Sequence, residues 1–434
     1  MTDPTPPPTI ELDVDHVRAQ FPALDAPNDA EPWIHLENAG GSHLPRQVID
    51  LTTRYLSGHR IQPSAPAGPG LTAGELMERG RSAAAATFAT DPADQGRGTG
   101  NDPGDVHVGP STSQNTYVLA QAIGATLRPG DGVIVTNQDH EANIGVWRRL
   151  ANHGATIRQW SVDSDRGLLD PADLTSIVDE RTRVICVTHA SNLAATINPI
   201  AEVAEVAAAV GALLVVDGVS WAPHAAIDVG DLGCDVYLYS TYKTYGPHQG
   251  LMWTRAGLTE ELTNQGHWFN AGRPVARLTP AGPDYASVAA IAGMVDYYDE
   301  IFRHHFGPIE TGDVGRWSRI ARVYDLVAAH EERLMTPLLD YLIGRGLRIV
   351  GSTSTSRAER APTIAFDPGP VGGAAVVEAL AGAGIGIGHG DFYARRLVDA
   401  MGINHPDGIV RISAVHYNTV GEIEHTIDAL DRVL

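Results

Sequence analysis

The segment that decides the fold spans residues 212–243 and reads ALLVVDGVSWAPHAAIDVGDLGCDVYLYSTYK. It contains two short apolar runs, at 212–218 and 235–240, whose continuous hydrophobic character is typical of strands buried in a parallel sheet. The first run carries Asp217 at its end, and Lys243 follows the second. Because ligands bind at the carboxyl edge of such sheets, we expect both side chains at that edge.

Apolar runs that precede this segment extend the same pattern. GVIVT at 132–136 and RVICVTH at 183–189 have the composition of buried strands. A helix is predicted between 189 and 212, with Asn198 as its cap, Pro199 in its first turn and Gly211 at its end. This strand–helix–strand unit predicts an α/β fold with a mostly parallel sheet.

The chain divides into four predicted parts. Proline-rich sequence at the start predicts disorder, and segments rich in Gly and Pro at 62–74 and 94–104 predict surface loops. Thr419 and Glu422 form a capping-box signature that opens a last helix. The parts are a disordered tail at 1–13, an N-terminal segment at 14–45 that joins the small domain, a large domain at 46–315, and a smaller C-terminal α+β domain at 316–434.

Composition limits the classes of partner. The 434 residues carry a formal charge of -21, which disfavours binding to nucleic acid or to an anionic membrane surface. Cys186 and Cys234 are the two cysteines, too few for a disulfide framework. The first residues lack the apolar core of a signal peptide. We therefore expect a cytoplasmic protein that acts on small molecules.

Lys243 is the single lysine among the 31 basic residues, so chemistry that needs a side-chain amine has one position available. A lone lysine near a strand-end carboxylate indicates covalent attachment of pyridoxal 5'-phosphate (PLP), with Asp217 keeping the ring nitrogen protonated. The alternative is a surface lysine and an aspartate without chemical function.

A PLP site also needs an anion cradle and a partner for the ring face. Ser111 and Thr112 open a predicted helix whose free amides suit a phosphate, although ordinary helix capping explains the same residues. His140 follows the strand at 132–136 and is placed to stack on a ring. A solvated loop histidine is the alternative.

Six segments together resemble those of class V, fold-type I PLP enzymes, and are most similar to cysteine desulfurase-like proteins. The resemblance implies a large domain with a mostly parallel seven-stranded sheet, a smaller α+β domain, PLP as cofactor and a homodimer. The segments are LENAGGS at 36–42, TNQDHEANIGVW, THASNLAATINP, VVDGVSWAPHAAIDV, YLYSTYKTYGPHQG and VRISAVHYNT.

The resemblance also implies roles for individual residues. Lys243 would hold PLP, Asp217 would pair with the ring nitrogen, and His140 would stack on the ring. Positions that match further cofactor contacts are Ser111, Thr112, Asn192, Ser220, Ser240 and Tyr242, with Thr279 reaching the phosphate of a neighbouring subunit. Positions assigned to the substrate are Arg411, which matches the arginine that binds the α-carboxylate, Asn38 and Tyr393.

Two positions depart from the desulfurase pattern. Ser220 stands where a glutamine is usual, which alters hydrogen bonding at the ring hydroxyl. The loop that carries the persulfide-forming cysteine in desulfurases reads GHGDFYARR here, with Tyr393 at or near the place of that cysteine. Cys186 and Cys234 lie in or beside apolar strands, where cysteine usually behaves as a buried hydrophobe.

The preferred hypothesis is therefore a carbon–sulfur lyase that eliminates a thiol from an S-substituted cysteine. Decarboxylation coupled to oxidative deamination of a cysteine conjugate, transamination and epimerisation remain open alternatives. A non-catalytic regulator is disfavoured because Lys243, Asp217 and Arg411 are all present. No G-x-G-x-x-G motif supports a nicotinamide enzyme, and the adjacent His304 and His305 lack ordinary metal-ligand spacing.

Overall fold

The computed structural model describes residues 10–25, 33–63, 65–89, 103–310 and 315–434. The predicted disordered tail lies outside these residues over 1–9, and the predicted loop at 94–104 lies outside them up to residue 102. The described residues form an α/β structure with three sheets.

Thirteen strands occur in the described residues. They are β1 (Ile34–His35), β2 (Asp105–Gly109), β3 (Gly132–Thr136), β4 (Thr156–Trp160), β5 (Thr182–Thr188), β6 (Leu213–Asp217), β7 (Val236–Ser240), β8 (Gly250–Thr254), β9 (Ile349–Val350), β10 (Thr363–Phe366), β11 (Ile385–Gly386), β12 (Gly388–Gly390) and β13 (Ile409–Ser413).

The α-helices of the same residues range from four to 29 residues. They are α1 (Val14–Arg18), α2 (Arg46–Gly58), α3 (Pro69–Ala86), α4 (Thr112–Gly124), α5 (Gly145–Arg148), α6 (Pro171–Ile177), α7 (Ile200–Val210), α8 (Val229–Leu232), α9 (Leu258–Glu261), α10 (Pro274–Arg277), α11 (Tyr285–Phe306), α12 (Arg316–Gly344), α13 (Gly373–Ala381), α14 (Arg395–Ala400) and α15 (Val420–Asp431). None of these described helices has the length and apolar character needed to span a membrane.

The large sheet has seven strands in the order β2-β8-β7-β6-β5-β3-β4. Only β8 runs antiparallel to its neighbours β2 and β7, whereas the remaining pairs are parallel. The predicted seven-stranded, mostly parallel sheet is confirmed. The four strands predicted from apolar runs correspond to β3, β5, β6 and β7, with ends that differ by one residue at most. All positions of β3 and β7 are buried, which explains why their sequences are continuously apolar.

One local prediction, the cap of helix α7, was wrong. Helix α7 is present and Gly211 ends it with φ +69°, but Asn198 does not cap it. The Asn198 amide instead donates to Thr188 O and Gln138 Oε1, both at 2.8 Å, and so ties the loop after β5 to the loop after β3. The capping box at Thr419 and Glu422 is confirmed as the start of α15.

The loop predicted at 62–74 ends earlier than expected, because α3 begins at Pro69. Further along α3, Gly80 allows close helix packing. A Cβ added at Gly80 of α3 would lie 1.9 Å from Val288 O of α11. Glycine therefore allows the two backbones to approach.

The long helix α12 joins the two parts of the molecule. Ile320 and Val323 from its first half belong to the core beside the seven-stranded sheet. Leu338 and Leu342 from its second half belong to the core of the four-stranded antiparallel sheet β12-β13-β10-β9. Strand β1 pairs with β11 beside this smaller core. The predicted division at residue 316, like the other domain bounds, remains a prediction.

We predict that Gly218→Ala destabilises the fold where Asp217 is positioned. A Cβ at Gly218 would lie 2.1 Å from Cε1 of Tyr237, whose hydroxyl is bonded to His189 Nδ1 at 2.8 Å. We expect a loss of about 1–3 kcal/mol in the free energy of unfolding, measured by urea denaturation. Gly421→Ala is the control, because no atom lies within 4 Å of the added Cβ. Equal stability of the two variants would contradict this packing argument.

Candidate active site

A cavity opens at the carboxyl edge of the seven-stranded sheet, where β5, β6 and β7 end and the chain leaves β3. Its lining brings together eight of the residues predicted from the sequence. These are Thr112, His140, Asn192, Asp217, Ser220, Ser240, Tyr242 and Lys243, joined by Ser113, Thr116, Ala142, Thr188 and Val219. The expectation that ligands bind at the carboxyl ends of parallel strands therefore located the cavity.

Lys243 lies in a short 3₁₀ turn (Thr241–Lys243) directly after β7, which carries its side chain into the buried end of the cavity. Burial and the positive charge of Arg411 lower the pKa of the lysine to about 8, and Asp217 opposes that shift. About a tenth of the amine is therefore neutral at pH 7, far more than for a lysine of ordinary pKa, and the neutral form is the one that acts as nucleophile or base.

Asp217 is the last residue of β6, and its Oδ1 accepts a hydrogen bond from Val219 N at 2.9 Å. Burial raises the pKa of this carboxyl group, and the hydrogen bond and Lys243 oppose the shift. A cationic group placed next to Asp217 would favour its ionised form.

The opposite part of the cavity is formed by the N-terminus of α4. Thr112 Oγ1 and Ser240 Oγ lie 2.7 Å apart, so two hydroxyls converge at this helix end. A Cβ at Gly250 would lie 2.3 Å from Thr112 N, which shows how closely β8 approaches the free amides. Ser111 caps α4 by accepting from Gln114 N at 3.1 Å. Free amides and hydroxyls at a helix N-terminus form an anion site.

His140 lies at the cavity wall, and its Nδ1 accepts a hydrogen bond from Ala142 N at 3.1 Å. Burial, with the positive charges of Lys243 and Arg411, lowers the pKa of the imidazole to about 4. The ring is therefore neutral at physiological pH, which suits stacking on a flat ligand. The Tyr393 ring lies 5.1 Å from the His140 ring, between centroids.

Arg411 and Asn192 each hold a buried polar atom without a protein partner in the described residues: Nε of the arginine and Oδ1 of the asparagine. The guanidinium is otherwise held loosely, with Nη2 at 3.7 Å from Glu37 Oε1 and Nη1 at 3.4 Å from Asn192 O. Burial lowers the pKa of Arg411 to about 10, so the group stays charged at neutral pH. Unpaired buried polar atoms of this kind indicate a ligand that completes their bonding.

The loop between β12 and α14 contains two consecutive non-glycine residues in the left-handed region, Phe392 with φ +49° and Tyr393 with φ +61°. Such residues cost about 1–3 kcal/mol each and persist where the surrounding structure fixes them. The carbonyl of Phe392 accepts from Asn192 Nδ2 at 2.8 Å, and the carbonyl of Tyr393 accepts from Glu141 N at 2.7 Å. These bonds hold the loop beside the cavity.

Two predicted site residues lie elsewhere. Asn38 donates through its amide to His35 O and Ser413 O, each at 3.0 Å, and accepts from the Tyr417 hydroxyl. The predicted substrate contact of Asn38 stays a prediction. Thr279 lines separate cavities and donates to Val275 O at 2.9 Å.

Sequence reasoning missed several residues around the cavity. Thr188 ends β5 at the same edge as Asp217, so its position at the end of a parallel strand could have predicted it. Asp139 is buried against Thr136 and Asn143, and burial raises the pKa of its carboxyl to about 7. No pattern in the sequence distinguished Asp139 or Phe392 from ordinary loop residues. No group of three or more potential metal ligands is placed to hold an ion in the part of the chain that the structure describes.

The cavity fits the chemistry of PLP. A buried amine with a lowered pKa matches the aldehyde, an anion cradle at α4 matches the phosphate, and the Asp217 carboxylate matches a protonated ring nitrogen. The unpartnered Oδ1 of Asn192 offers a free acceptor, which suits the ring hydroxyl. These groups lie around one cavity, as a single bound molecule requires.

Comparisons with known proteins agree with this fit. The family model described as aminotransferase class-V matches residues 34–277. The chain is 36% identical over 431 residues to the aminotransferase-like protein FGM3 of Gibberella zeae, covering 97% of this chain and 98% of that protein. It is 30% identical over 440 residues to a cysteine desulfurase of Dickeya dadantii, covering 98% of each.

A solved structure shows the same fold. The apo cysteine desulfurase of Thermococcus onnurineus NA1 superposes with a TM-score of 0.80 at 19% identity, covering 98% of each chain. Family model, full-length relatives and fold agree with the buried lysine and its acidic partner. The chain therefore belongs to the class V aminotransferase family of PLP-dependent enzymes, the family that includes the cysteine desulfurases.

Proposed function

We propose that the protein is a PLP-dependent carbon–sulfur lyase that cleaves the Cβ–S bond of an S-substituted cysteine. One observation carries the proposal: the loop that a desulfurase uses for its persulfide cysteine has Phe392 and Tyr393 here and no thiol. An enzyme without that thiol must release sulfur in another form. Elimination releases it as the thiol of the substrate, together with pyruvate and ammonia.

Neither cysteine of the chain offers a substitute nucleophile. Cys186 lies within β5 with no exposed surface, and Cys234 precedes β7 with 5% exposure. Burial raises the pKa of both thiols, so neither forms a reactive thiolate at neutral pH. This chemistry argues against transfer of sulfur to the protein.

Residues around the cavity would hold PLP in the manner expected from their chemistry. Lys243 would bind its aldehyde carbon, Asp217 would hold the proton on its ring nitrogen, and His140 would cover one ring face. Thr112, Ser240 and Tyr242 would hold the phosphate together with the amides of α4, with Asn192 and Ser220 near the ring hydroxyl. When bound, PLP withdraws electrons from the Cα of an attached amino acid.

The protein's own groups then account for the proton movement. Arg411 binds the α-carboxylate through its in-plane N–H donors, which fixes the orientation of Cα. The Lys243 amine takes the Cα proton, because its lowered pKa makes the neutral form far more abundant than in an ordinary lysine. The Cβ–S bond breaks, the thiolate takes a proton, and the released 2-aminoacrylate is hydrolysed to pyruvate and ammonia.

We also propose that the chain acts as a homodimer in the cytoplasm. Trp268 and Phe269 are 84% and 66% exposed near the cavity that Thr279 lines. Exposed aromatic side chains of this size are typical of a surface that pairs with another subunit. In such a dimer Thr279 would contact the phosphate of the cofactor in the neighbouring subunit.

Transamination is the second candidate, because the relative at 36% identity is named an aminotransferase-like protein. The same lysine would move a proton from Cα, and the amino group would pass to an added keto acid. Decarboxylation coupled to oxidative deamination, and epimerisation, use the same cavity and are distinguished by their products.

We predict that the rate at which the cofactor-free protein attaches PLP rises with pH, has its midpoint near pH 8 and reaches a plateau at higher pH. The folded pKa of Lys243 is lowered to about 8, so the amine becomes neutral and reactive as the pH passes that value. Borohydride reduction followed by peptide mass spectrometry measures the attachment. Lys243→Ala should show none, and Arg411→Gln should move the midpoint upward because a neighbouring positive charge is removed. An unchanged midpoint in Arg411→Gln would contradict the charge argument.

We predict that Arg411→Gln raises KM for the amino acid by about 10–100-fold while PLP stays attached. The loss corresponds to about 1.5–3 kcal/mol, the usual contribution of hydrogen bonds to a charged group. Steady-state kinetics at saturating PLP measures the change. Arg345→Gln is the control, since Arg345 pairs with Asp431 at the surface. If KM is the same in both variants, Arg411 does not bind the carboxylate.

The proposed reaction is tested by incubating the PLP-loaded enzyme with S-methyl- and S-benzyl-cysteine and identifying products by mass spectrometry. We expect equal amounts of thiol, pyruvate and ammonia. A keto acid that retains the sulfur, formed only when an amino acceptor is added, would indicate transamination. Carbon dioxide with a sulfur-containing aldehyde would indicate the decarboxylating reaction, and a D-amino acid would indicate epimerisation. Any of these as the main product would overturn the lyase assignment.

A further inference from the structure

The loop at residues 390–394 places two aromatic rings against the groups that flank the cavity. The Phe392 ring covers the guanidinium of Arg411, with 3.9 Å between the guanidinium carbon and the ring centroid. The Tyr393 ring lies beside His140, with 5.1 Å between centroids. Arg411 and His140 thus each have an aromatic neighbour from one loop.

Space for the Phe392 ring is provided by Gly388 of β12. A Cβ at that position would lie 2.8 Å from Cε1 of Phe392 and 2.7 Å from Glu37 Oε1. The guanidinium carbon lies over the ring, and this contact uses none of the N–H donors of Arg411. The buried Nε of Arg411 has no hydrogen-bond partner among the described residues. Phe392 therefore forms an apolar wall next to an anion site.

Tyr393 combines a fixed backbone with a free ring. Its carbonyl accepts from Glu141 N at 2.7 Å, and its own N–H donates to Asp391 Oδ1 at 3.0 Å. The residue is nevertheless 73% exposed, so most of its ring surface is open to a ligand. A tyrosine side chain has only two rotatable bonds, so its ring offers a large contact area with little loss of side-chain freedom.

We propose that Phe392 and Tyr393 form an aromatic wall that selects amino acids whose Cβ sulfur bears an apolar or aromatic substituent. This inference rests on the proposed function and names the substituent of its substrate. A substrate with its carboxylate at Arg411 and its Cα at Lys243 extends its side chain toward this loop.

The test measures binding rather than turnover. 3-(Benzylthio)propanoate and 3-(methylthio)propanoate carry the carboxylate and the sulfur substituent but no amine, so neither reacts with PLP. Isothermal titration of each into the PLP-loaded enzyme gives the ratio of their Kd values. We expect the benzyl compound to bind at least about tenfold more tightly, a usual discrimination by an apolar pocket.

Tyr393→Ala should lower that ratio to less than about threefold by removing the exposed ring, and Tyr393→Phe should preserve it as the matched control. Phe392→Leu is a second variant, expected to lower the ratio while keeping an apolar residue at the loop. The proposal of an aromatic wall is wrong if the unaltered enzyme binds the two compounds equally. It is also wrong if the ratio of the two Kd values is unchanged in Tyr393→Ala.

The same measurements separate this inference from the proposed function. A tenfold preference that Tyr393→Ala removes supports the wall even if the product assay shows transamination. Weak binding of both compounds, with no further loss in Arg411→Gln, would refute the carboxylate site and the wall together. A 3-(carboxymethylthio)propanoate that binds as tightly as the benzyl compound would refute the preference for apolar substituents.

Discussion

Burial of one amine between opposite charges is the constraint on which the site depends. Lys243 is held at the end of β7 where Asp217 favours its cationic form, and Arg411 together with burial favours the neutral form. Their balance leaves the pKa near the physiological range, about 8. A surface lysine would be almost fully protonated and far less reactive. The parallel sheet positions the amine and the acid, and Arg411 from β13 of the smaller sheet supplies the charge that helps to lower the pKa.

The two halves of the site come from different parts of the fold. The seven-stranded sheet supplies the amine, the acid and the anion cradle, whereas the smaller antiparallel sheet supplies Arg411 and the loop with Phe392 and Tyr393. The bond from Asn192 to Phe392 O at 2.8 Å links the two halves. Through this bond, and through the contact of Tyr393 with His140, a change in the loop reaches residues that we propose for the cofactor.

Sequence reasoning succeeded where one physical rule dominated. Buried strands read as continuous apolar runs, and their carboxyl ends located Asp217, Ser240 and Lys243 at one cavity. It failed where a polar side chain had several possible partners. The amide of Asn198 fits a helix cap equally well in sequence, but Thr188 O and Gln138 Oε1 take it in the fold. The Asn38 side chain likewise bonds to Ser413 O and Tyr417, and its predicted substrate contact stays a prediction. These contacts join residues that lie 10 to 379 positions apart in the sequence.

The single lysine has a practical meaning for chemical work on this protein. Its single ε-amine is buried at the inner end of the cavity, so reagents that acylate lysine side chains react slowly with the folded protein. A rise in the acylation of this one position on heating then reports the opening of the cavity directly.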